Sequence, residues 1–174
     1  MVVVRATDRS WRVDVPAVAL DGAADISVVS SGDELFHCAL TGCVAVAQLT
    51  PDIDPRVQHV FTSWPRVLTD RRAAISVAAT PPPEGLEAAD TACFHVQPSA
   101  ASLLAPLDAG VYCYTADGTL TGADLELGRL RLLRTDTAPA RVDLPGPVVA
   151  GEPLPLIAPD RSDSSPSPAP ASDG

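Results

Sequence analysis

The chain has 174 residues and a mass of 18.0 kDa, the size of one ordinary domain with a tail, which leaves no room for a second full-sized core. It has 22 acidic residues against 12 arginines and no lysine. The resulting net charge of −10 repels nucleic acid and anionic membrane surfaces. The 46% hydrophobic fraction excludes a wholly disordered chain, and the 4% aromatic content means that Val, Leu and Ala must fill the interior.

The first fifty residues have the pattern of β-strands. Apolar and polar residues alternate over 11–15 and again over 26–28, which is the two-residue period of half-buried strands. Two further apolar segments, 35–40 and 43–49, are separated only by Thr41-Gly42. We therefore expect these two segments to form a hairpin.

A helix is predicted over residues 54–70. Asp54 followed by Pro55 supplies an N-cap and a first-turn proline, and apolar residues then recur at spacings of three and four. Pro65 lies inside this pattern and costs about 3 kcal/mol in a helix interior, so we expect a kink near Trp64. The apolar face would cover one side of a sheet.

The second half supplies four further strand-like segments, at 73–80, 91–97, 110–115 and 120–134. Asp117-Gly118 predicts a short hairpin turn with positive φ at both residues. The leucines change from odd to even positions at Gly128, which requires a bulge or a very tight turn there. The predicted fold is mainly β (α+β). It is a curved antiparallel sheet or half-open barrel of about eight strands, with the kinked helix packed on it.

Proline content divides the chain into three parts. Nine of the 18 prolines fall within the last 40 residues, and the final stretch has no side chain suited to a core. We expect a β-rich domain over 1–134, an extended proline-rich strap over 135–158, and a disordered tail over 159–174.

The four cysteines favour two disulfide bonds. Cys38 and Cys43 lie at the two ends of the predicted hairpin turn, and Cys93 and Cys113 lie on consecutive strands, which favours these two local pairs. A structural zinc site is the alternative, with Cys38, Cys43 and Cys93 joined by His37 and His95, although the spacing differs from that of zinc ribbons. Unpaired buried thiols are the third possibility.

The sequence contains none of the motifs typical of nucleophilic hydrolases, metallohydrolases, phosphate loops or dinucleotide folds. We therefore expect no catalytic residues, no cofactor and no enzymatic activity. We also expect no nucleic-acid partner and no transmembrane segment.

The segments Cys-Phe-His-Val at 93–96 and Gly-Val-Tyr-Cys-Tyr-Thr-Ala-Asp-Gly-Thr-Leu at 110–120 resemble exported proteins and lipoproteins of high-GC Gram-positive bacteria. In these proteins a curved sheet resembles that of the LolA and LppX lipoprotein carriers. The resemblance implies a half-barrel whose apolar interior accepts an acyl chain or another hydrophobic ligand. The side chains expected to face such a cavity are Trp11, Val13, Phe61, Trp64, Phe94, Val96, Tyr112 and Tyr114.

Three functions follow as expectations. The first is a non-catalytic interaction module of the cell envelope with an unidentified envelope protein as partner. The second is a carrier of a hydrophobic small molecule such as a lipid, and the third is a structural zinc-binding domain. Residues 1–11 lack the apolar run of a secretory signal, which taken literally indicates the cytoplasm. The cysteine pattern instead favours an extracellular or cell-envelope location with a signal encoded upstream.

Overall fold

A computed structural model describes residues 1–40, 42–62, 75–99 and 108–156 of the chain. In this part of the chain, ten strands form two five-stranded antiparallel sheets, and neighbouring strands in sequence are neighbours in space. The first sheet consists of β1 (Val3–Ala6), β2 (Ser10–Ala19), β3 (Ala24–Ser31), β4 (Glu34–Ala39) and β5 (Gly42–Val46). The second sheet consists of β6 (Ile75–Thr80), β7 (Thr91–Pro98), β8 (Gly110–Thr115), β9 (Leu120–Leu125) and β10 (Gly128–Arg131).

The mainly β, antiparallel class predicted from the sequence is confirmed, but the single curved sheet of about eight strands is not what forms. One additional strand, β1, precedes the first predicted strand, and the segment predicted as 120–134 is divided into β9 and β10. The strands of the described residues belong to two separate sheets, and these strands do not close into a barrel. Short turns keep each sheet a simple meander, while the long connection after β5 begins a new sheet.

Two glycine-containing turns explain how the second sheet is built. Gly118 alone takes a positive φ of 85° at the β8–β9 turn, and its N–H donates to the Thr115 carbonyl oxygen at 2.9 Å. The prediction of positive φ at both turn residues was therefore wrong for Asp117. At Gly128 the sequence required a bulge or a tight turn, and the tight turn is present, because Gly128 pairs directly with Leu125 across a two-residue turn.

The predicted helix is short within the described residues. A 3-10 turn, Arg56–Gln58, leads into α1, His59–Thr62. Residues 63–70, which include the expected kink at Trp64 and Pro65, lie outside the described residues. The helical segment contacts both sheets, since Val57 packs against a cluster on the first sheet and Val60 against one on the second.

Three apolar clusters hold the described residues together. The second sheet has one cluster, centred on Val96, Tyr112 and Ala123, each no more than 1% exposed. The first sheet has a cluster on each face, one containing Val13, Ile26 and Val28 and the other containing Val29, Phe36 and the cysteines of β4 and β5. The first sheet is therefore buried on both faces, which requires an additional layer to cover it.

The segment 142–156 lies within the predicted strap over 135–158 and supplies that layer by returning to the first sheet. From here on, the strap means residues 142–156. Val142 and Leu144 pack against the cluster on one face, and Leu154 and Leu156 pack against the cluster on the opposite face. Between them, Val148 forms a parallel bridge with Cys43 at the edge of the sheet. The strap thus passes around the edge formed by β5.

Main-chain hydrogen bonds fix the strap at this edge. The Cys43 N–H donates to the Pro147 carbonyl oxygen, and the Val149 N–H donates to the Cys43 carbonyl oxygen, each at 2.8 Å. Further along, the Leu156 N–H donates to the Asp52 carbonyl oxygen at 2.7 Å. The division into a domain over 1–134, a strap over 135–158 and a tail over 159–174 stays a prediction, and the tail lies outside the described residues.

Among the helices of the described residues, none has the length and apolar character needed to cross a bilayer.

Gly42 is expected to be required for strap docking. A Cβ atom at this position would lie 2.6 Å from Val149 Cγ2 and 3.4 Å from the Pro147 carbonyl oxygen. We expect Gly42→Val to lower the free energy of unfolding by about 1–3 kcal/mol, because the stiff branched side chain overpacks this contact. Chemical denaturation measures the change. Ala45→Val, at an exposed site on the same strand, is the control and should change stability by less than about 0.5 kcal/mol. Equal effects of the two variants would contradict the docking role.

Candidate functional site

A shallow cleft lies at one end of the second sheet, and we call it the aromatic cleft. It has a volume of about 460 Å³ and opens broadly to solvent. Its lining residues are Asp90, Thr91, Ala92, Phe94, Tyr114, Thr115 and Ala116. The cleft therefore presents two aromatic rings, two threonine hydroxyls and one carboxylate.

The aromatic cleft forms because, at one end of the sheet, β7 extends two residues beyond β6. Residues 81–83 are three consecutive prolines, which cannot continue the hydrogen-bond ladder, so β6 ends at Thr80 opposite Cys93. Thr91 and Ala92 of β7 pair with β8 on one side and have no β6 residue opposite them on the other. The small side chain of Ala92 then leaves the Phe94 and Tyr114 rings partly exposed.

The rim of the cleft is acidic. Asp90 is exposed and adopts a φ of 58°, a left-handed conformation that Asp tolerates better than most residues. Asp117 follows Ala116 in the β8–β9 turn, where hydrogen bonds from the Thr115 hydroxyl and then from Thr119 hold the pKa of its carboxyl below the usual value. No ion pair engages either carboxylate within the described residues.

The aromatic groups of the cleft are neutral. Burial, and secondarily the neighbouring Tyr112, raise the pKa of Tyr114 far above the ordinary value of 10. Its phenol therefore stays protonated at physiological pH. The cleft can bind a ligand by apolar contact, by hydrogen bonding to hydroxyls and by attraction of positive charge to its rim.

Next to the cleft lies β6, the outer strand of the second sheet. Its residues Ser76 to Ala79 are exposed, and the Val77 side chain retains 50% of its accessible surface. The strand contains no charged residue and no proline. An edge strand of this kind presents unpaired main-chain groups to solvent and is a template for pairing with another strand.

The three other sheet edges in the described part of the chain are protected. Arg5 lies on β1 and forms an ion pair with Asp14, while β10 carries Arg129 and Arg131. The β5 edge is occupied by the strap at Cys43. Charged side chains and covering segments are the usual means of preventing edge pairing, so β6 differs in this respect from the other three described edges.

The structure distributes the side chains predicted to line one cavity between the two sheets. Trp11 and Val13 pack in a cluster of the first sheet. Five others, Phe61, Phe94, Val96, Tyr112 and Tyr114, pack together in the cluster of the second sheet. Trp64 lies outside the described residues. Only Phe94 and Tyr114 of the predicted set line the aromatic cleft.

The remaining cleft residues were not singled out by the sequence analysis. Asp90, Thr91, Ala92, Thr115 and Ala116 are small or polar residues without a motif. The three consecutive prolines at 81–83 were an available signal, because they end one strand close to the start of the next. The signal could have been used only with knowledge of the register between β6 and β7.

Both predicted disulfides are present. Cys38 is bonded to Cys43 and Cys93 to Cys113, and in each case the two residues are directly opposite on neighbouring strands. The main-chain groups of Cys43 point away from β4 toward the strap. The first disulfide therefore joins a pair without mutual main-chain hydrogen bonds, where opposed side chains are closest.

These disulfides remove the ligands that the zinc alternative needs. All four sulfur atoms are bonded to sulfur and no cysteine is free. Within the described residues, no group of three or more His, Cys, Asp or Glu side chains could hold a metal ion. The proposed donors His37 and His95 lie on different sheets.

Comparison with known proteins gives no match to a family model, to a curated protein or to a solved structure.

We expect the two disulfides to contribute unequally to stability. In the chain-entropy description, Cys93–Cys113, with a sequence separation of 20, should stabilise by about 3 kcal/mol, and Cys38–Cys43, with a separation of 5, by about 2 kcal/mol. Denaturation of the two paired Cys→Ala variants measures the difference. Unreduced protein should have a mass four hydrogens below that of the reduced protein. An undiminished mass would contradict both bonds.

His37 should make stability depend on pH. Its side chain is 1% exposed, and neither ring nitrogen has a hydrogen-bond partner among the described residues. Burial lowers the pKa of His37 from the ordinary value of 6.5. Because the unfolded chain takes up a proton near pH 6.5 and the folded chain does not, the free energy of unfolding should fall as the pH drops from 7 through 6.5, down to the lowered folded-state pKa.

His37→Leu should remove that pH dependence and raise the free energy of unfolding by about 1 kcal/mol, since it deletes two unpartnered polar atoms. Burial would raise the pKa of Asp14, but hydrogen bonds from Ser27 and Arg12 outweigh burial and lower it. The Asp14 contribution is therefore lost only in the acid range, below its ordinary value of 3.8. Denaturant titrations between pH 5 and 8 make the measurement, and His95→Leu is the control that should retain the slope. A slope unchanged in His37→Leu would show that another group causes it.

Proposed function

We propose that this chain is a non-catalytic protein of the cell envelope or extracellular space that acts as an interaction module, and that β6 is its binding element. In this proposal a partner protein adds an extended segment to the outer edge of β6. The observation that carries the proposal is that β6 is an exposed and uncharged edge, while the other three sheet edges are charged or covered.

Strand addition uses main-chain chemistry that any extended segment possesses. The outer N–H and C=O groups of an edge strand pair with those of the added strand, and alternate side chains provide specificity. Six residues, Ile75 to Thr80, are available in β6. A strand of this length matches the usual strand length in proteins, so the edge offers a complete site and not a fragment of one.

The location assigned in the proposal has separate support. Two disulfides are consistent with an extracellular location, because such bonds persist in oxidising compartments. The resemblance of the segments at 93–96 and 110–120 to exported proteins of high-GC Gram-positive bacteria agrees with this location. An exported module also encounters envelope proteins, which are the partners we propose.

A carrier of a hydrophobic ligand is the second candidate function. It is favoured by Phe94 and Tyr114, which line a cleft of about 460 Å³, within the usual range for ligand sites of roughly 300–1,000 Å³. Carriers enclose most of the ligand surface, whereas the aromatic cleft is shallow and open. We therefore place the interaction module first.

Blocking the β6 edge should abolish partner binding. A photoreactive amino acid in place of exposed Ala78 should crosslink the full chain to a discrete partner in the cells that produce it. Val77→Lys in the same background should reduce the adduct at least tenfold, because a lysine on the edge opposes strand pairing. Val148→Lys is the matched control, since Val148 is 57% exposed and lies on the strap. It should leave the adduct unchanged.

The proposal is wrong if position 78 gives no discrete adduct, or if the adduct is as abundant in Val77→Lys as in the control. Native mass spectrometry of protein purified without detergent tests the carrier. A bound hydrophobic molecule that survives purification, and that Phe94→Ala removes, would favour the carrier over the interaction module.

A further inference from the structure

We infer that the segment recognised at β6 is positively charged and carries one large apolar side chain that enters the aromatic cleft. This inference rests on the proposed function, and it adds the chemistry of the partner. The occupant is an extended segment of another protein, with an aromatic or long aliphatic residue at its centre and Arg or Lys near its ends.

The register of the second sheet places the cleft within reach of a strand added at β6. Ala79 of β6 lies directly opposite Phe94 of β7, and Phe94 lies opposite Tyr112 of β8. Directly opposed residues share one face of a sheet. A partner residue opposite Ala79 would therefore project on the same face as Phe94, about 10 Å away across two strand spacings.

The small side chain at position 79 leaves room for a partner side chain to extend across β6 toward Phe94. Ala79 is exposed and adds only a methyl group between the outer edge and the Phe94 ring. A long or aromatic partner side chain can lie across Ala79 toward Phe94, which is partly exposed in the cleft beside Tyr114. A bulky residue at position 79 would fill this space.

The carboxylates at this end of the sheet favour a positively charged partner. The strand end at Thr80, the start of β7 and the end of β8 all lie at the same end of the sheet, because Thr80 pairs with Cys93 and Thr91 pairs with Thr115. Asp90 and Asp117 are next to these positions and have no ion pair in the described part of the chain. A partner segment that runs past Thr80 therefore approaches this acidic end of the sheet, with Asp90 beside β7 and Asp117 one strand further away beside β8.

The other ion pairs of this sheet support that reading. Arg129 is paired with Asp124, and Arg56 is paired with Asp108, so these two arginines are already engaged by other carboxylates. The whole chain has a net charge of −10. That field attracts a cationic segment and accelerates its encounter with the protein.

A second copy of the chain fits the edge less well. Two copies each carry a charge of −10, so their overall charges would repel when the β6 strands paired. The contact between two copies would be one strand of six residues from each copy. The surface buried by such a contact is small compared with the roughly 1,200–2,000 Å² buried in a stable interface. A partner with an anchoring side chain and opposite charge removes both difficulties.

Synthetic peptides test the inference on the full chain. The probe is an acetylated, amidated peptide of alternating Thr and Val with a central Trp and Arg at both ends, so that either strand direction is served. The matched peptide has Glu in place of Arg. Amide chemical shifts of isotopically labelled protein should change on titration at Ala79, Phe94 and Tyr114, and the Glu peptide should bind at least tenfold more weakly.

Variants of the chain identify the charges. Asp90→Asn combined with Asp117→Asn should weaken binding of the Arg peptide by about three- to tenfold, as expected for two exposed charge pairs. Asp21→Asn combined with Asp33→Asn alters the net charge equally, at exposed turns of the first sheet, and should leave affinity nearly unchanged. Ala79→Phe should also weaken binding.

The results separate this inference from the proposed function. Equal binding of the two peptides, no binding, or shifts confined to other surfaces would overturn the cationic occupant. If the Ala78 crosslink and its loss in Val77→Lys persisted in that case, the interaction module would stand. If the crosslink failed as well, both would be wrong. Concentration-dependent dimers in sedimentation equilibrium that Val77→Lys abolishes would assign the edge to a second copy instead.

Discussion

The pair of hydrogen bonds between Cys43 and the strap is the interaction on which the first sheet depends. These bonds hold residues 147–149 against β5, although these residues follow β5 by about a hundred positions in the sequence. On either side of this point the strap places apolar residues on opposite faces of the sheet. Without the strap, β5 would be a second open edge and both faces of the sheet would expose apolar side chains. A long-range closure of this kind costs loop entropy, which the burial on two faces offsets.

The disulfides serve the same need within each sheet. The chain has only seven aromatic residues, counted as two Trp, two Tyr and three Phe, and each sheet has its own small clusters in place of one shared core. Small cores rarely stabilise a fold by themselves. Each sheet has one disulfide between two neighbouring strands, Cys38–Cys43 in the first sheet and Cys93–Cys113 in the second. These bonds compensate locally for the limited burial.

Local patterns in the sequence were sufficient for most of the strands, although not for β1, and for the β4–β5 hairpin and both disulfide pairs. They also required a bulge or a tight turn at Gly128. Each of these features is fixed by residues close together in the chain. The division into two sheets was not predictable in this way. Trp11 and Phe94 have the same alternating pattern, yet they face different clusters. The period of apolar residues indicates that a side chain is buried, but it does not indicate which other side chains bury it. The cleft was missed for a related reason, since it results from the register between β6 and β7 and not from a motif.

The acidic charge and the open edge have opposite effects on association, and together they explain how an unprotected strand can be tolerated. An uncharged edge such as β6 invites pairing between copies of the same chain. A net charge of −10 on every copy opposes that pairing over a distance of about 8–10 Å at physiological ionic strength. The same charge does not oppose a cationic segment, which it attracts. The sign of the charge thus discriminates between self-association and partner binding at an edge whose main-chain groups cannot discriminate by themselves.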